Sequence, residues 1–190
     1  NTLGLDHSEA RLKNLRCKIA GINHMGWLLS ITENGRDLYP ELKALATEKL
    51  AEWRQAADAS AKSGNMVRLE LMRRFGYYVT ESSEHSAEYM PYWIKHRYPE
   101  LIAEWNIPLD EYPRRCVNQI AAWRKEYESL RDNPHLEHKL SHEYGSAIMD
   151  SILTDTPRQI GGNVLNAGLI DNLPADAVVE IPCLVDGNGI

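Results

Sequence analysis

Cysteine is scarce in this chain: three in 190 residues, Cys17, Cys116 and Cys183. They are odd in number, widely spaced and without a CxxC pair, which argues against a disulfide scaffold or a paired-cysteine zinc framework and for a reducing compartment. No signal peptide precedes them, so a cytoplasmic location is expected. No apolar run reaches the roughly 18 residues that a spanning helix needs, and no membrane partner is expected. Basic charge is also in deficit. The 21 Lys and Arg against 27 Asp and Glu leave a net charge of -6 and a pI near 5.7, so phosphate backbones are not attracted and nucleic acid is not an expected partner. Missing too are GxGxxG, a P-loop, GxSxG, internal repeats and low-complexity tracts.

What is present suits a globular domain, with 43% hydrophobic and 25% charged residues. At roughly 150 residues per domain the length allows one domain, or one and part of another. The chain opens on Asn1 rather than methionine and closes on a glycine-rich turn, Val185 to Ile190, so it reads as a piece of something longer.

The pattern along the chain predicts helices in the middle and strands toward the ends. The run CKIAGINHMGWLLSI, Cys17 to Ile31, reads as strand, turn or bulge at Gly21 and Gly26, then strand. A turn at Glu33 to Arg36 leads to a helix over 38–61, with Leu42, Leu45, Ala46, Leu50 and Trp53 at helical spacing. Ser63-Gly64-Asn65 stops it, and a second helix carries Val67, Leu69, Leu71, Met72 and Phe75 to a stop at Gly76. A serine-capped short helix is expected over 84–92. Beyond Pro108 and Pro113 a helix over 114–131 should bury Val117, Ile120, Ala121, Trp123 and Tyr127, and another over 141–153 should be capped by Ser141. Strands are expected over 159–166 and 177–185, separated by the loop 168–174. The sum is an α+β fold, mainly helical with a small antiparallel sheet.

Four segments carry candidate chemistry. Asn23-His24 interrupts an apolar strand-turn unit. A histidine so placed is a possible metal ligand or catalytic group, although a satisfied core or turn histidine has the same pattern. In Glu81 to Tyr89, His85 and Tyr89 lie four apart on one helical face with Glu81 and Glu88 flanking it, a set able to move protons. A solvated polar turn under aromatic residues would look the same. His135, His138 and His142 have the spacing of a metal face but fall in a loop with no fixed frame. Arg158 to Asn166 alternates polar and apolar residues, as any half-exposed strand does.

AGINHMGWL, from Ala20, is the first of several motifs that together resemble the family 4 glycoside hydrolases. The others are GYYVTESSEHSAEYMPYW from Gly76, closest to the α-galactosidase branch, HEYGSAIMDSI from His142, and NVLNAGLIDNLPADAVVEIPCLVD from Asn163. They occur in the family's order, and the resemblance covers essentially the whole chain. It implies a lactate/malate dehydrogenase-like C-terminal domain and a retaining α-galactosidase that depends on NAD and Mn²⁺. Such an enzyme oxidises the sugar at C3, removes the acidified C2 proton, eliminates the glycosidic oxygen, adds water and reduces the ketone again.

The resemblance implies that His24 is the metal histidine and that Asn23 and Asn166 contact substrate. Within about 83–89 it leaves His85, Tyr89 and Glu84 as candidates for the proton-abstracting group. The family's NAD loop and metal cysteine belong to a Rossmann domain that the resemblance places upstream of this sequence. Cys17, seven residues before His24, falls at a strand position of the family pattern, and Leu3-Gly4-Leu5 is similar to the end of the helix after the cysteine motif. Alone, the chain is expected neither to bind NAD tightly nor to turn over. Two classes stay open: the sugar- and metal-facing part of an enzyme, or a non-catalytic assembly piece. The basic residues that hold a 6-phosphate are not evident, which favours an unphosphorylated sugar, with galactose, glucose and a uronic acid all open. A homo-oligomer is expected.

Overall fold

The computed structural model describes residues 14–135 and 143–190. His138, Ser141, His142 and Leu3-Gly4-Leu5 lie outside them. Strand β1, Leu15–Ile22, pairs with β2, Met25–Glu33, as an antiparallel hairpin with a register shift between Lys18 and Ile19. The expected strand, turn and strand are present: the turn is Asn23-His24, between Gly21 and Gly26, and the two glycines are themselves cross-strand partners inside the ladder. Asn34-Gly35, both with positive φ (51° and 82°), turn β2 into the short β3, Arg36–Asp37. That is the backbone an Asn-Gly hairpin turn requires.

Helix α1, Tyr39–Gln55, begins with Pro40 in its first turn and stops six residues short of the expected end, in an extended Ala56. Helix α2, Met66–Phe75, ends as expected on Gly76, whose φ of 85° is the left-handed stop and whose N–H returns to the Met72 carbonyl at 2.9 Å. Strand β4, Tyr78–Val79, then pairs with Trp27 and Leu28 of β2. Helix α3, Ser83–Tyr89, is capped by Ser82 and ends three residues earlier than expected. Pro91 explains the early stop, because the residue before a proline is driven out of the helical region, and Met90 is extended. Helix α4, Glu100–Glu104, was not foreseen; its signal is Pro99 at the start followed by Glu100.

The remaining elements are α5, Glu111–Arg131, α6, Gly145–Thr154, β5, Arg158–Leu165, and β6, Val178–Val185. All six strands form one antiparallel sheet in the order β3-β2-β1-β6-β5, with β4 on β2. The small antiparallel sheet and dominant helices of the sequence reading are therefore present.

The core lies where α1, α2 and α3 cover β2 and β4. Met66, Val67, Leu71, Ala46 and Val79 are fully buried, and Trp93 meets Trp105 edge-on with centroids 6.0 Å apart. Each such large aliphatic side chain contributes on the order of 1.5–3 kcal/mol. Tyr39 ties the layers together: its hydroxyl donates to the Leu28 carbonyl and accepts from the Tyr78 N–H. Glu70, almost wholly buried, is matched by Arg73 and Arg74 at 2.6–2.8 Å. A smaller packed region joins α6 to β6, where buried Ser151 donates to the Thr156 and Val185 carbonyls.

Helix α5 departs from expectation. Its apolar stripe exists, but no residue of the helix is buried, and Val117, Ile120, Trp123 and Tyr127 are all more than half exposed. Periodicity marks the stripe as amphipathic and does not name what lies against it.

Candidate functional site

The β1–β2 turn leaves little freedom to the residue it presents. Gly21 and Gly26 face each other one pair before the end of the ladder, and His24 adopts φ 63°, a left-handed conformation uncommon for a side chain of this size. The next strand out, β4, delivers Thr80 and Glu81 to the same end. Thr80 is fixed by its N–H and hydroxyl, both donating to the Gly26 carbonyl. Arg68 of α2 holds the same segment from the other side. It donates to the carbonyls of Val79 and Thr80 and lies over the Tyr78 ring at 4.4 Å. The Ser82 hydroxyl accepts from the His85 N–H at 3.1 Å and starts α3.

These constraints bring together residues far apart in sequence. The Glu81 carboxylate meets His24 Nδ1 at 2.5 Å, and the Ser82 N–H donates to its other oxygen at 2.7 Å. His85 and Tyr89, one helical turn apart, face the same histidine. The His24 ring centroid is 5.3 Å from that of His85 and 5.8 Å from that of Tyr89. His85 Nδ1 is paired with Glu88 at 2.9 Å. His24, Glu81 and His85 offer ligand atoms within 4.8 Å of one another. Two imidazoles and a carboxylate are donors that suit a divalent first-row ion, so this set fits the expected metal.

The electrostatics follow from these contacts. The Ser82 N–H holds the Glu81 carboxyl below its usual range against the opposing effect of burial, with His24 adding to the lowering. The hydrogen bond to Glu88, aided by the charges of Glu81 and Glu84, raises the His85 imidazole. Glu84 is pushed up, first by burial and then by the Glu111 carboxyl beside it.

The structure therefore gathers His24, His85 and Tyr89 as one cluster and leaves the other candidates outside it. Asn23 is exposed at the turn beside His24. Glu84 turns toward Glu111 at the start of α5. Asn166 is fully buried and its amide is occupied: Nδ2 donates to the carbonyls of Ile170, Leu173 and Pro174, each at 3.0 Å, and Oδ1 accepts from the Ile170 N–H at 2.7 Å. That side chain anchors the loop between β5 and β6 and presents nothing to a sugar. Glu81 was seen in the sequence only as a flanking acid; its pairing with His24 spans 57 positions and left no local signal. Cys17, Cys116 and Cys183 are all free thiols. A cavity of about 700 Å³ reaches the His24 turn through Gly21, Ile22 and Met25, but its walls are apolar, with Trp27, Phe75 and Leu169 prominent. No helix among the described residues is long and apolar enough to cross a membrane.

A small antiparallel sheet packed by helices carries, at the tip of its β1–β2 hairpin, an imidazole–carboxylate cluster whose donor atoms could hold a metal ion. Residues 19–190 match the family described as the family 4 glycosyl hydrolase C-terminal domain, and the chain belongs to that family. It is 53% identical over 184 residues to an α-galactosidase of Bacillus subtilis (strain 168), covering 97% of this chain and 39% of that protein. An α-galactosidase of Rhizobium meliloti (strain 1021) is 31% identical over 182 residues, covering 90% of this chain and 35% of the relative. The chain thus spans less than half the length of these relatives. Among solved structures, the lplD protein of Bacillus subtilis superposes with a TM-score of 0.73 at 20% identity, over 92% of this chain and 40% of that one. A 6-phospho-α-glucosidase from gut microorganisms, in complex with NAD and Mn²⁺, gives a TM-score of 0.57 at 22% identity, over 93% and 41%. Both are likenesses of fold.

Proposed function

We propose that this chain is the metal- and sugar-facing part of an α-galactosidase that works by oxidation at C3, elimination and water addition. The observation that carries the reading is the His24–Glu81–His85–Tyr89 cluster, in a chain 53% identical to a protein of that activity. When bound, Mn²⁺ supplies Lewis acidity to the sugar oxygens and NAD accepts the C3 hydride. His24 would hold the ion, with the Glu81 carboxylate behind its ring at Nδ1.

The chain's own residues supply the proton transfer. His85, with Nδ1 engaged by Glu88, keeps Nε2 for the C2 proton, and the bond to Glu88 raises its affinity for that proton, as suits a general base. Tyr89 stands at the same ring cluster as the second proton-transfer group, and Asn23, at the exposed turn, contacts the sugar. Glu84 faces Glu111 instead and has no part in this step. A homo-oligomer belongs to the same reading, with the uncovered stripe of α5 as its surface, and so does a cytoplasmic location.

The test is a chimera in which this chain replaces the matching region of the Bacillus subtilis α-galactosidase. It should cleave p-nitrophenyl α-galactoside only with NAD and Mn²⁺ present, and lose that activity with His85→Ala. A folded chimera without activity would favour the non-catalytic assembly reading, and preference for the α-glucoside would overturn the sugar assignment.

A further inference from the structure

We infer that Glu81 is a positioning residue that fixes the tautomer and ring orientation of His24, so that Nε2 is the atom turned to a metal. The inference rests on the reading of His24 as a metal ligand and adds a residue to it.

Three observations carry it. The Glu81–His24 contact is short, 2.5 Å from Oε2 to Nδ1. The carboxylate is itself aimed: the Ser82 N–H holds Oε1 at 2.7 Å, and Thr80 and Arg68 fix the backbone just before it. The His24 ring has His85 and Tyr89 as ring neighbours, but the hydrogen bond that can select between its two nitrogens is the one to Glu81, and its side chain is 40% exposed. An ionised carboxylate only accepts hydrogen bonds, so His24 Nδ1 must carry the proton and the lone pair of the neutral ring falls on Nε2. A carboxylate behind a metal-ligating imidazole fixes tautomer and orientation, and its removal costs about 10–100-fold in metal affinity.

The experiment uses the 190-residue chain with ¹⁵N-labelled histidine and the variants Glu81→Ala and Glu81→Gln. Metal-free imidazole ¹⁵N shifts report the tautomer, and broadening of the His24 signals by added Mn²⁺ reports binding. The wild type should show the Nδ1–H form. Glu81→Ala should mix the two tautomers and raise the Mn²⁺ midpoint about 10–100-fold. Glu81→Gln, whose amide oxygen still accepts from Nδ1–H, should keep the tautomer and most of the affinity. An unchanged tautomer and midpoint in Glu81→Ala would overturn the inference. So would loss of Mn²⁺ binding in Glu81→Gln with the tautomer intact, which would make Glu81 a direct ligand. If Mn²⁺ leaves wild-type His24 unbroadened, the metal reading has failed, and the metal-free tautomers still decide whether Glu81 orients the ring.

Discussion

Thr80 is bonded twice to Gly26: its N–H and its hydroxyl both donate to the Gly26 carbonyl, at 2.9 and 3.1 Å. This pair carries the end of β4 past the β1–β2 turn and sets Glu81 beside His24. A Cβ at position 26 would stand 2.8 Å from Thr80 Oγ1, so a larger residue there forces the Thr80 side chain out of its bond to the Gly26 carbonyl. Gly26→Ala should therefore destabilise the chain by about 1–3 kcal/mol, the range for overpacking. It should also separate Glu81 from His24. Urea unfolding measures the first effect and the His24 imidazole ¹⁵N shifts the second; a variant that changes neither would show that the contact does not hold the site.

His24 itself is strained by its turn. A left-handed backbone costs a residue with a Cβ roughly 1–2 kcal/mol, and a β-branched side chain suffers most. His24→Gly relieves that cost while losing the bond to Glu81, so its stability should stay within about 1 kcal/mol of wild type. His24→Val should lose about 2 kcal/mol or more. Both should abolish Mn²⁺-dependent activity in the chimera. Denaturation midpoints that rank glycine below valine would contradict the turn geometry.

The local features of the sequence were legible because they depend on near neighbours. The strand-turn-strand around His24, the Gly76 stop of α2, the serine cap of α3 and the shared face of His85 and Tyr89 all follow from residues within a few positions of each other. Nonlocal relations left weaker traces. The alternation that ends in Asn166 cannot say that its amide is consumed by a loop up to eight residues away. The pairing of His24 with Glu81 needs β4 to join β2. The stripe Val117–Ile120–Trp123–Tyr127 was correctly amphipathic and incorrectly buried, since the period of a helix does not name what lies against it.

The Glu88–His85 pair makes the site sensitive to pH. The hydrogen bond that His85 donates to Glu88, with the neighbouring carboxylates, raises the folded-state value of His85 above that of an unfolded histidine, near 6.5. The sign follows: the pair's stabilisation is full below the unfolded value and disappears as pH rises through the folded one. Solvent exposure of both partners keeps the effect on stability small. Glu88→Gln should move the NMR titration midpoint of His85 downward and shift any pH-rate profile of the chimera to lower pH. A midpoint that stays in place would exclude Glu88 as the partner that tunes His85.

Asn166 gives the sharpest test of a structural role. Its amide shares two N–H donors among three carbonyls, and its oxygen accepts one N–H, of the 170–174 loop while fully buried. Asn166→Ala should cost about 2–4 kcal/mol, because buried groups left without partners cost about 1–3 kcal/mol each and the loop can relax to recover part of it. Asn166→Asp is the more telling change: the new oxygen would face the carbonyls of Ile170, Leu173 and Pro174 where a donor stood. The folded state then disfavours the ionised form and raises the carboxyl above its unfolded value near 3.9. Its destabilisation is full above the folded value and is relieved as pH falls through it, since the protonated acid regains one donor. Urea unfolding of Asn166→Asp relative to wild type should thus show a deficit that narrows on acidification, together with faster amide exchange at Ile170. A deficit that is the same at every pH would mean that the carbonyls do not surround this position as the structure shows.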